Sequence, residues 1–130
     1  MPTPKETVLE FLAMWSEPGG FAESIRKYFT DATVYENVGM SKTTGIAESV
    51  EFAQGFEGQT QGGVLKVENL AVVTEGNLVL TERIDRMIDG AGKEQIAFRV
   101  MGIFEVEGDK ITGWRDYFDT AGAFAAMGQG

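Results

Sequence analysis

The chain has 130 residues, enough to bury one continuous core and too few for two, so a single domain spanning residues 1–130 is expected. Hydrophobic residues make up 43% and charged residues 24%, the balance of a soluble globular protein rather than a disordered or fibrous one. The net charge of −9, with eleven scattered Lys and Arg, leaves no basic footprint for a phosphate backbone, and nucleic acid is excluded as an expected partner.

Thr3, Pro4 and Glu6 have the form of a capping box with proline at the first helical position. Val8, Phe11, Leu12 and Trp15 then recur at helical spacing, which predicts an amphipathic first helix ending near Pro18. Phe21, Ile25, Tyr28 and Phe29 repeat the pattern over a second helix that stops at Thr30 and Asp31. A short strand over 33–37 follows. A third helix is expected from Ile46, broken around Gly55 and Gly58. From Gly63 the character changes to four strands separated by turn signals, over 64–73, 78–88, 95–106 and 111–119. Their short connections predict an antiparallel meander. The alanine-rich segment 120–127 reads as a short helix closing the open end.

Helices first and a long curled sheet afterwards predict an α+β fold: a cone-shaped, curved antiparallel sheet with the N-terminal helices packed on its concave face. Such a shape leaves an apolar cavity suited to a small molecule.

The chain contains no cysteine and no histidine, which removes thiolate chemistry, imidazole-based triads and the usual zinc ligand sets. Carboxylate, tyrosine and lysine remain for proton transfer, and no metal or other cofactor is expected. Glu6 and Glu10 interrupt the first apolar stretch, no basic leader precedes it, and no run approaches membrane-spanning length. A cytoplasmic protein with no membrane partner is the expectation.

Side chains alternate faces along a strand. Thr112, Trp114, Asp116 and Phe118 therefore share one face of the last strand, which sets a carboxylate between large aromatics. Val79, Thr81, Arg83, Asp85 and Met87 share a face of the second long strand, and Tyr35 and Asn37 point the same way in the short one. Each pattern also has a plain reading. An Arg-x-Asp pair is commonly a wet surface ion pair of little energetic consequence. Asp116 alone suits a turn cap, Tyr35 with Asn37 suits a strand end, and parity does not say which face is concave.

Taken together, these segments carry a resemblance. Val34-Tyr35-Glu36-Asn37, Thr81-Glu82-Arg83-Ile84-Asp85 and the nine residues from Ile111 to Asp119 closely resemble the three segments that form the active site of limonene-1,2-epoxide hydrolases. The start of the first helix, Val8 to Phe11, and Met101 to Phe104 look like that family too. The resemblance implies the fold shared with nuclear transport factor 2, SnoaL-like proteins and ketosteroid isomerase, usually as a homodimer. It implies one-step addition of water to a small apolar epoxide, cyclic or terpenoid, giving a vicinal diol. In that reaction Asp116 is the general base, Tyr35 and Asn37 hold the water, Asp85 protonates the epoxide oxygen and Arg83 bridges the aspartates. Leu12, Trp15, Met87, Phe98, Val100 and Phe118 fall where the family has pocket-lining residues. The segment 38–44 departs from the family in lacking prolines, which bears on substrate preference. The alternatives are a ketosteroid-isomerase-like or polyketide-cyclase-like proton-transfer enzyme, whose first-helix tyrosine is absent here, and a non-catalytic module that holds an apolar ligand.

Overall fold

The computed structural model describes residues 2–126. Helix α1, Pro4–Ala13, opens with the expected capping box: the Thr3 hydroxyl accepts from the Glu6 backbone N–H at 3.1 Å and the Glu6 carboxylate accepts from that of Thr3 at 2.9 Å. The Thr3 backbone bond holds the Glu6 carboxyl below its ordinary range. A turn of 3-10 helix, Met14–Ser16, continues the axis and buries Trp15. Gly20 then begins α2, Gly20–Tyr28, pressed so tightly on the Met14 carbonyl that a Cβ would overlap it.

Strand β1 covers Phe29–Asn37, four residues earlier than the expected 33–37, and α2 correspondingly ends at Tyr28. Phe29 satisfies the helical spacing, yet it adopts extended backbone, pairs with Ile111 and is buried in the core. A tertiary contact outweighs a local preference there. Strand β2, Ser41–Thr44, has no apolar residue to announce it and returns along β1 through a turn at Gly39, whose φ is +85°.

Helix α3, Gly45–Gln59, runs unbroken through Gly55 and Gly58, contrary to the expected break. Each glycine costs a helix about 0.5–1 kcal/mol. Burial of Ala53 and the packing of Phe52 and Phe56 against the core offset that cost.

Strands β3 (Val64–Glu75), β4 (Leu78–Ile88), β5 (Glu94–Glu107) and β6 (Lys110–Tyr117) form the expected meander, followed by helix α4, Thr120–Ala126. Residue 127, which the sequence places in this last helix, lies outside the described residues. The curved sheet has the order β2-β1-β6-β5-β4-β3 and is antiparallel except that β1 runs parallel to β6. Register shifts in β1, β3, β4 and β5 supply the irregularities that bend and twist it.

Burial alternates along β4 with period two, so its inward side chains are those at 79, 81, 83, 85 and 87. Against this face packs an aromatic cluster from the helices and strands. Trp114 lies flat between Tyr35, 3.9 Å between ring centroids and 8° from parallel, and Phe104, at 5.3 Å and 16°. Among the described residues, no helix is long and apolar enough to cross a membrane.

Candidate active site

Parity places Thr81, Arg83 and Asp85 on the inward face of β4, and the structure buries all three. The Arg83 side chain is fully buried, and each of its five N–H groups has an acceptor. Nε donates to Asp85 Oδ1 at 3.0 Å and Nη2 to Asp85 Oδ2 at 2.8 Å. Nη2 also donates to Asp116 Oδ2 at 2.8 Å, while Nη1 donates to Asp116 Oδ1 at 3.2 Å and to the Thr81 hydroxyl at 3.0 Å. The guanidinium carbon lies 5.8 Å from the Trp15 ring centroid and 5.9 Å from that of Phe104, so aromatic walls flank the cation.

A salt bridge this deep is costly to desolvate and holds only when its remaining polar groups are satisfied. Burial pulls the Arg83 guanidinium down, but the charges of Asp116 and Asp85 outweigh it and hold the group above its ordinary range. Asp116 moves upward: desolvation, with the charge of Asp85, raises it more than Arg83 and the Trp114 N–H lower it.

Strand β1 brings in the other half of the site. Asn37 is paired with Asp116 and Tyr35 with Trp114 across the parallel ladder. The Asn37 amide nitrogen donates to the Tyr35 hydroxyl at 3.0 Å and to the Ser41 hydroxyl at 3.1 Å. Both amide hydrogens are thereby used, and Oδ1 remains as an acceptor. Burial pushes the Tyr35 phenol up, with Asp116 adding to the shift, so its O–H stays protonated and able to donate.

These groups meet a cavity of about 680 Å³ between the sheet, α2 and α3, within the range of small-molecule sites. Tyr35, Asn37, Asp85 and Asp116 line it, and Arg83 lies beneath them. Of the residues expected on its wall, Trp15, Phe98, Val100 and Phe118 are there. Leu12 and Met87 are not: both are buried in the core cluster. The wall also uses Phe21, Phe52, Phe56 and Leu65, which the sequence reading missed. Phe52 and Phe56 lie one helical turn apart around Gly55, a signal hidden by expecting the helix to break there. Helix α4 adds no residue to this wall, so the expected closure of the open end by 120–127 is not seen among the described residues.

Among the described residues, no group of three or more Asp, Glu, His or Cys side chains is arranged to hold a metal ion. The arrangement brings two carboxylates to one fixed cation, with the Tyr35 hydroxyl and the Asn37 amide beside them on the cavity wall.

Comparison with known proteins identifies the family. The model of the limonene-1,2-epoxide hydrolase catalytic domain matches residues 2–128. Epoxide hydrolase EphG of Mycobacterium tuberculosis is 37% identical over 100 residues, which are 77% of this chain and 64% of that protein. The chain thus aligns with less than two thirds of that relative's length. A solved LEH-like epoxide hydrolase from Mycobacterium tuberculosis superposes with a TM-score of 0.73 at 31% identity, over 95% of this chain and 88% of that one. An NTF2-like protein of unknown function from Cytophaga hutchinsonii gives 0.69 at 21% identity, over 95% and 96% of the two chains, a likeness of fold alone.

Proposed function

This chain belongs to the limonene-1,2-epoxide hydrolase family, and from that premise we propose that it adds water in one step to a cyclic or terpenoid epoxide, of the limonene-1,2-epoxide kind, to give a vicinal diol. The observation that carries the reading is the single guanidinium of Arg83 bonded at once to Asp85 and Asp116 beside an apolar cavity.

The site can account for each atom of the reaction. A water held by the Tyr35 O–H donates one hydrogen to Asn37 Oδ1 and the other to Asp116, leaving a lone pair for attack on an epoxide carbon. Oδ2 is the Asp116 atom suited to take the proton, since Oδ1 already accepts from both Arg83 and Trp114 while Oδ2 accepts from Arg83 alone. As the new C–O bond forms, the epoxide C–O bond breaks and Asp85 gives its proton to the departing oxygen. The cycle ends with a proton from the water on Asp116 and Asp85 ionised, and transfer of that proton to Asp85 resets the pair. Positioned proton transfer contributes about 10²–10⁴-fold, and a pre-oriented water adds to this. No cofactor enters the scheme.

An aromatic wall and a volume of about 680 Å³ suit a compact apolar epoxide. The same reading includes a homodimer, supported by apolar side chains on the outer face of the sheet: Leu80, Met101 and Tyr117 are 37%, 49% and 48% exposed. A cytoplasmic location belongs to the proposal too and is checked by cell fractionation.

The direct test is turnover of cyclohexene, limonene and styrene oxides, followed by a single turnover in ¹⁸O-water. The expected result is a diol labelled in that first turnover. Label appearing only in later turnovers would mean a covalent aspartyl ester, and no diol from any epoxide would end the reading.

A further inference from the structure

Strands β4 and β6 are not neighbours, because β5 runs between them. Adjacent strands lie about 4.8 Å apart, so an arginine on β4 meets an aspartate on β6 only by passing over β5 on the inward face. Alternation along β5 puts Val100, Gly102 and Phe104 on that face, all buried. Gly102 is paired with Thr81 on one side and with Asp116 on the other, which sets it directly under the crossing.

A Cβ on Gly102 would fall 2.5 Å from Asp116 Oδ1, closer still to Arg83 Nη1, and 3.0 Å from Thr81 Oγ1. The space of the missing side chain is taken by the guanidinium and its partners. Gly102 is not among the positive-φ glycines, so its backbone conformation is open to any residue. Glycine is also a poorer strand residue than alanine. Its presence answers to space and not to conformation.

We infer that Gly102 and Thr81 are positioning residues for the reaction: Gly102 leaves the gap through which Arg83 reaches Asp116, and Thr81 fixes the guanidinium by accepting the one N–H that neither carboxylate takes. The role rests on reading Asp116 as the base. Without the gap the cation is forced away from Asp116. Without the hydroxyl, a fully buried N–H loses its partner and the guanidinium gains freedom to tilt.

The experiment compares Gly102→Ala, Thr81→Val and Thr81→Ser with the wild-type protein by epoxide kinetics and by ¹³C titration of the Asp116 carboxyl. Gly102→Ala is expected to lower kcat by about 100-fold or more with little change in KM, as for an interaction that matters in the transition state. Its Asp116 titration and the acid limb of its kcat profile should move up by about one pH unit, a shift that general loosening of the fold would not give. Thr81→Val should move both in the same direction, and Thr81→Ser, which keeps the acceptor, should restore most of the rate. A Gly102→Ala protein with wild-type kinetics and titration would overturn the inference. So would Thr81→Val behaving like Thr81→Ser, and this pair decides the matter if Gly102→Ala does not fold. A wild-type protein that opens no epoxide, but whose Asp116 titration moves on Gly102→Ala, would support the positioning role while ending the assigned reaction.

Discussion

The indole N–H of Trp114 donates to Asp116 Oδ1 at 2.7 Å, from two residues earlier on the same face of β6. The same ring stacks on Tyr35, so one buried side chain fixes the carboxylate and one of the groups proposed to hold water. Trp114→Phe keeps an aromatic ring in the stack, though a smaller one, and removes the donor. Desolvation already raises Asp116, and the Trp114 N–H is among the contacts that oppose it. Losing that contact raises the carboxyl further, because a hydrogen bond to a charged acceptor is worth about 1.5–3 kcal/mol. Activity that needs ionised Asp116 disappears as pH falls through its pKa. The acid limb of kcat should therefore move to higher pH by about one unit, with a smaller change in the rate at the pH optimum. An unmoved limb in the variant would mean that the indole N–H does not tune the base.

Asp116→Asn and Asp85→Asn remove the proposed base and acid while keeping side-chain shape. Each should abolish diol formation, a loss of about 10²–10⁴-fold or more, with circular dichroism unchanged. Near-normal turnover in either variant would remove that aspartate from the reaction.

The alternation 79, 81, 83, 85 and 87 is legible in the sequence because a half-buried strand repeats every two residues. It identified Arg83 and Asp85 as neighbours. The expected meander already puts one strand between β4 and β6, but the register that sets Asp116 in line with Gly102 and Thr81 is a long-range property that alternation does not carry. Phe29 is placed in a helix by its spacing and β2 is not anticipated at all, for the opposite reason. Phe29 fits a helical spacing but is claimed by a pairing with Ile111, and the four polar or hydroxylated residues of β2 carry no periodic signal. The cavity wall was half legible: Trp15, Phe98, Val100 and Phe118 come from the family resemblance, whereas Phe52 and Phe56 depend on α3 continuing through two glycines.

Arg83→Met leaves Asp85 and Asp116 facing each other in a dry site without their cation. Removing one partner from a buried ionic cluster costs about 3–5 kcal/mol, and thermal unfolding at pH 7 should show a loss of that order. The sign of the pH dependence follows from the stranded carboxylates. Folded, the buried Asp116 holds its proton more tightly than in the unfolded chain, so the variant regains stability as pH falls through its folded pKa and loses it as pH rises. The deficit relative to wild type should thus be smaller at pH 4.5 than at pH 7. A deficit independent of pH would mean that lost packing, not unpaired charge, is what destabilises the variant.

On the outer face of the sheet, Met101 is paired with Tyr117 and flanked by Glu82, while Leu80 is paired with Val73 and Ile103. This face was not recognised from sequence, because alternating strands need residues on both sides and a methionine or leucine alone does not say which side is dry. Exposed apolar side chains from adjacent strands form a surface suited to another copy of the same face, since a two-fold interface brings identical patches together. A lysine at the centre of such an interface must be desolvated or must push the subunits apart. Met101→Lys is therefore expected to shift the protein from dimer to monomer in sedimentation velocity at micromolar concentration. The intramolecular bonds from Arg83 to Asp85 and Asp116 join residues of one chain, so the catalytic cluster should survive the dissociation. A wild-type protein that already sediments as a monomer at the same concentration would end the dimer proposal.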